Sequence, residues 1–227
     1  MKKGIFSTGN LTRLAVLVAI LLIFCYTPLG RIPLGPIFIT LNMIPVVIGA
    51  IVLGPTGGAI LGVIFGLWSF STCFGTDAFG TALVNQGFGT AVLVGVMCIV
   101  PRFIAGWLPG FIYRWAKKER KLKFEHYDVD GDKSVYRGYT LMRVVFPAAP
   151  LASLAGSLIN TALFVGAVVL LFAKNPVTAE MMGTADAWTI ITLLITQNAL
   201  FEAIACTVVG GAVGRALMRT WKGMVAV

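Results

Sequence analysis

The chain has 227 residues, 58% of them hydrophobic and only 12% charged, with mean hydropathy +0.90. A soluble domain carries about 25% charged residues, so a water-soluble fold is excluded, and continuous rather than alternating apolar runs exclude a transmembrane barrel. The net charge of +9 would suggest nucleic acid in a soluble protein, but here it reports topology, because cytoplasmic loops of membrane proteins collect Lys and Arg.

Nine of the eighteen Lys and Arg fall between Arg114 and Arg143, and others cluster at the two ends (Lys2, Lys3, Arg13; Arg215, Arg219, Lys222). Both termini and the central loop are therefore expected in the cytoplasm. The expected fold is an all-α integral membrane protein of one domain. Its helices are expected at about 12–27, 41–53, 56–72, 83–116, 143–173 and 188–218, with a cytoplasmic loop over about 117–142.

The first helix leaves the cytoplasm after Arg13 and stops at Pro28, and Ala15 and Ala19 form a small-xxx-small pair on one face, a spacing that lets another helix approach closely. Pro28, Gly30, Pro33, Gly35 and Pro36 make Leu29 to Thr40 an external loop. The second helix, Asn42 to Leu53, is about 18 Å long, shorter than a hydrocarbon core of about 30 Å. It must run into the loop or be shielded by neighbours. The third carries Gly58, Gly62 and Gly66 at intervals of four, a close-packing stripe. Trp68 stands near its outer end.

Ser71 to Thr81, with Gly75, Asp77 and Gly80, reads as an external loop, either a lid or a plain connector. The fourth helix begins near Leu83, with Asn85 and Gln86 at its outer end, and Pro101 interrupts it just before Arg102. In the polar loop, Asp128, Asp130 and Asp132 do not make a calcium site, since Gly131 is misplaced and Tyr139 replaces the bidentate Glu. The fifth helix contains Gly156, Ser157, Asn160 and Thr161; the sixth contains Asn198 and Glu202. The four cysteines form no CxxC pair, and the single histidine lies in the basic loop. No disulfide framework, metal site or cofactor is expected. Nucleotide-binding and hydrolase signatures are absent from the sequence.

Glu202 sits near the middle of an apolar run, where an ionisable group costs at least about 2.5–3.5 kcal/mol and faces a partner or a wet cavity. Counting inward from the outer ends places Arg102 at about 24 Å, Asn160 at about 18 Å and Glu202 at about 21 Å. Three polar side chains on three helices thus reach similar depth. They make either a structural cluster or the floor of a solute pocket, with Asn198, Asn85 and Gln86 nearer the outside.

Several stretches resemble the substrate-binding (S) components of energy-coupling factor vitamin transporters. They are Ala15-Val-Leu-Val-Ala19, the Pro- and Gly-rich first loop, Leu53-Gly54-Pro55-Thr56-Gly57-Gly58, Gly156-Ser-Leu-Ile-Asn160-Thr161 and Asn198-Ala-Leu-Phe-Glu202. The resemblance covers essentially the whole chain. It implies a non-enzymatic subunit of a bacterial cell membrane that captures a small vitamin from outside and works with a transmembrane coupling subunit and two ABC-type ATPases. It implies that Ala15 and Ala19 face the coupling subunit and that the loops with Pro33, Gly35, Gly75 and Asp77 gate the pocket. The substrate contacts are then expected among Asn42, Trp68, Asn85, Gln86, Arg102, Asn160, Asn198 and Glu202. Trp68-Ser-Phe-Ser-Thr-Cys-Phe-Gly-Thr-Asp77 looks most like the pantothenate branch. Pyridoxine or a thiamine precursor is the alternative substrate, and a stand-alone proton-coupled carrier the alternative class.

Overall fold

The computed structural model describes residues 7–28, 30–34, 37–116, 148–182 and 200–224. The central basic loop, Gly35 and Asn198 lie outside the described residues, as does most of the apolar run leading to Glu202.

Helix α1 spans Thr8–Tyr26. It buries Leu17, Leu21 and Cys25 and turns Ala15, Val16, Ala19, Ile20 and Ile23 outward. The expected first loop is not irregular throughout. Strands β1 (Arg31–Leu34) and β2 (Ile37–Thr40) pair antiparallel, Arg31 opposite Thr40 and Pro33 opposite Phe38. The hairpin is a local exception in a chain whose described elements are otherwise helical, as expected of an all-α fold: Ile32, Ile37, Ile39 and Thr40 are β-branched and suit a pleated ribbon, which the density of Gly and Pro concealed.

Helix α2, Met43–Val52, is buried from Met43 to Ile51. At about 15 Å it is too short to cross a bilayer alone, and neighbours shield it on all sides. Gly54, at φ 84°, turns the chain into α3, Pro55–Thr72. This left-handed position suits glycine, and the Arg114 guanidinium lies where a Cβ would project. Along α3, Cβ atoms at Gly58 and Gly62 would strike the backbone oxygens of Gly106 and Arg102, and one at Gly66 would come within 2.8 Å of Ile99 Cα. The glycine stripe is thus the seam between α3 and α5.

The expected loop before the fourth helix contains a helix of its own, α4, Ala78–Val84. Gly87 at φ 140° then separates it from α5, Phe88–Ala116. Helix α5 is continuous through Pro101 and Pro109 rather than interrupted. Helices α6 (Ala148–Phe172) and α7 (Pro176–Met182) follow. The last helical stretch comprises α8, Leu200–Ala205, a π-helical segment Cys206–Gly210, and α9, Gly211–Met224. Gly211 packs on Pro150 and Gly214 on Ile51, which seats α9 against α6 and α2.

Among the described residues, three helices are long and apolar enough to cross a membrane: α1, α5 and α6. They expose large apolar side chains, among them Val92, Val96 and Leu170, as surfaces facing lipid do. Two apolar clusters fill the interior. One joins α1, α2, Leu61 and Phe65 of α3, Ala105 of α5, and Ala149 and Ala152 of α6. The other joins Cys73, Leu83, Val94, Met97, Cys98, Val168 and Phe172.

Candidate functional site: a polar layer between two apolar clusters

Along α5 the second cluster takes Val94, Met97 and Cys98, and the first takes Ala105. Arg102 stands between them. Along α6 the first cluster takes Ala149 and Ala152 and the second takes Val168 and Phe172; Ser157 and Asn160 stand between. A buried polar layer therefore separates two hydrophobic cores.

Arg102 is buried, and its Nη1 donates to the Met97 carbonyl at 3.1 Å. Met97 lies four residues before Pro101, so it is the carbonyl that proline's missing N–H leaves without its helical donor. The arginine beside the proline closes the gap that the proline opens. Its guanidinium carbon lies 4.4 Å from the Phe164 ring centroid and 5.6 Å from that of Phe65, so two aromatic faces hold the cation. Phe164 is one turn from Asn160 on α6.

Asn160 and Glu202 meet: Asn160 Nδ2 donates to Glu202 Oε1 at 3.5 Å, with Glu202 2% exposed. The Asn160 carbonyl oxygen is buried with no protein hydrogen-bond partner among the described residues. The hydroxyls of Ser153 and Ser157 share that state. Ser153, Ser157 and Asn160 recur at i, i+4 and i+7, one face of α6. The sequence reading missed Ser153, although this spacing was visible. The π-helical segment begins four residues after Glu202, and the Thr207 hydroxyl covers the Ala203 carbonyl at 2.6 Å. Such segments recur at functional sites.

The other expected contacts are dispersed. Asn42 is fully buried at the start of α2; its amide has no hydrogen-bond partner among the described residues, and its oxygen fills the space beside Gly30. Trp68 is half-buried, stacked on Phe65 at 6.3 Å and edge-on to Tyr26 at 6.4 Å. Asn85 and Gln86 are exposed in the turn between α4 and α5. Gln86 exchanges two hydrogen bonds with Asn175, at 3.0 and 2.7 Å, and so ties that turn to the segment after α6. Asp77 is the residue before α4, its backbone N–H donating to the Thr72 carbonyl at 2.8 Å. Gly75, at φ 146°, is exposed in the same turn. Pro33 lies in β1. Ala15 and Ala19 are on the outward face of α1.

Three apolar helices long enough to span a membrane thus pack around an internal polar layer. The chain belongs to the ECF transporter, substrate-specific component family, whose model matches residues 9–210. It is a family of transporter substrate-binding subunits, not of enzymes, and membership implies coupling and ATPase subunits as partners and a small molecule as substrate. No curated protein is significantly similar to the chain.

Proposed function

We propose that the chain captures a small water-soluble vitamin, pantothenate, from outside a bacterial cell membrane and passes it inward with a coupling subunit and two ATPases. The observation that carries this reading is the Asn160–Glu202 contact, in a buried layer where Arg102 of α5 packs on Phe164, one turn along α6 from Asn160. Pantothenate is an anion with hydroxyls and an amide. Arg102 supplies a cation for the carboxylate, held by its rings so that little ordering is needed on binding. Asn160, Ser157 and Ser153 supply donors and acceptors for the hydroxyls and amide. Glu202 fixes the Asn160 amide, leaving the opposite edge of that side chain to the ligand. Asn42, Trp68 and Asn198 are the further contacts this reading assigns to the substrate.

In this reading six crossings place both termini in the cytoplasm, the hairpin with Pro33 and Gly35 and the turn with Gly75 and Asp77 gate the outer mouth, and the Ala15–Ala19 face meets the coupling subunit. Asn85 and Gln86 hold the rim.

Cells lacking their own pantothenate uptake, supplied with this chain, the coupling subunit and the ATPases, are expected to accumulate labelled pantothenate. Unlabelled pantothenate should abolish the signal. Accumulation of labelled pyridoxine or a labelled thiamine precursor, with none of pantothenate, would transfer the assignment to that vitamin.

A further inference from the structure

The second apolar cluster contains a feature that solute binding does not use. Cys73 Sγ and Cys98 Sγ lie 3.9 Å apart, and each residue is 2% exposed. Cys73 caps the C-terminal end of α3, where its N–H donates to the Phe70 carbonyl at 3.1 Å. Cys98 lies on α5 one turn from Arg102. The thiols are 25 positions apart in sequence, and the packing of α3 on α5 brings them together.

We propose that Cys73 and Cys98 form an oxidisable dithiol that closes to a disulfide, tying the end of α3 and the turn after it to α5. A disulfide needs about 2.05 Å between sulfurs, so the gap closes by about 2 Å. Cys73 can supply that movement, because it stands at a helix end followed by the exposed turn with Gly75. In the reaction two S–H bonds break and one S–S bond forms. Two protons and two electrons pass to the oxidant, and dioxygen accepts them to give hydrogen peroxide.

Dioxygen is apolar and dissolves in hydrocarbon, so burial from water does not shield the pair from it. An open apolar groove of about 640 Å³, lined by Phe70, Gly95 and Ile99 among others, runs along the same seam. Gly95 and Ile99 flank Cys98 on α5, and Phe70 packs against the cluster that holds both thiols. The crosslink requires no assumption about what the chain transports.

The test uses the full chain in lipid bilayers, oxidised either with diamide or with copper(II) phenanthroline and dissolved dioxygen. Free thiols are then alkylated under denaturing conditions and the peptides are mapped by mass spectrometry. The expected result is loss of two hydrogens per chain and one linked peptide pair joining Cys73 to Cys98, reversed by dithiothreitol. Cys25 and Cys206, buried in α1 and in the π-helical segment, should be recovered alkylated. Cys73→Ala and Cys98→Ala should each abolish the mass loss. Recovery of all four cysteines alkylated after both oxidants would overturn the proposal, as would a link from Cys98 to any other cysteine.

Discussion

Arg102→Ala is expected to lower the stability of the folded chain by about 2 kcal/mol, since it leaves the Met97 carbonyl unmet in a buried setting and removes a cation held between two rings. The cause can be isolated. Pro101→Ala restores a backbone N–H four residues after Met97, so the carbonyl regains a helical donor. In that background the cost of Arg102→Ala should fall by about 1 kcal/mol, a coupling within the range for residues sharing one partner. Denaturant titration in detergent over the four variants measures it. Equal cost in both backgrounds would show that Arg102 does not serve the proline gap. Ligand affinity separates the second role: in the proposed function it drops on loss of Arg102 whichever residue occupies position 101.

The other large effect lies on the glycine seam. A Cβ at Gly62 meets the Arg102 backbone oxygen, not the end of a mobile side chain. Gly62→Leu must therefore push α5 away from α3. The expected loss is about 3 kcal/mol, the upper part of the usual range for overpacking, together with displacement of Arg102 from its rings. Gly9→Ala is the control. Nothing lies within 4 Å of a Cβ there, and alanine within a helix is favoured over glycine by about 0.5–1 kcal/mol. A thermal midpoint that falls for Gly62→Leu and holds or rises for Gly9→Ala checks both. An unchanged midpoint for Gly62→Leu would mean that α3 and α5 do not pack at this distance.

The polar layer was legible in part. Counting the rise per residue puts Asn160 and Glu202 at comparable levels, and these two side chains meet; the count needs no knowledge of helix rotation. Which way each side chain faces depends on helix rotation, and that came from packing: Asn160 turns to Glu202, while Arg102 turns to Phe164, Phe65 and the Met97 carbonyl. The last of these could have been read from the adjacency of Pro101 and Arg102, since the carbonyl a proline deprives is always four residues earlier. One continuous helix from Leu83 is the expectation for this stretch; the left-handed turn at Gly87 breaks it, and Gln86 pairs with Asn175 across that turn. Local chemistry signalled the turn only through a glycine in a chain with 26 of them. The hairpin was hidden for the opposite reason, since breakers outnumbered the β-branched signal around it.

In the proposed function the layer of Arg102, Asn160 and Glu202 holds a small polar solute. Native mass spectrometry of the purified chain, released from detergent after incubation with pantothenate, tests it most directly. One saturable adduct of pantothenate mass per chain is expected, lost in Arg102→Ala and in Asn160→Leu while both variants remain folded. An adduct that persists undiminished in both folded variants, or a wild-type chain that carries only lipid at saturating pantothenate, would contradict it.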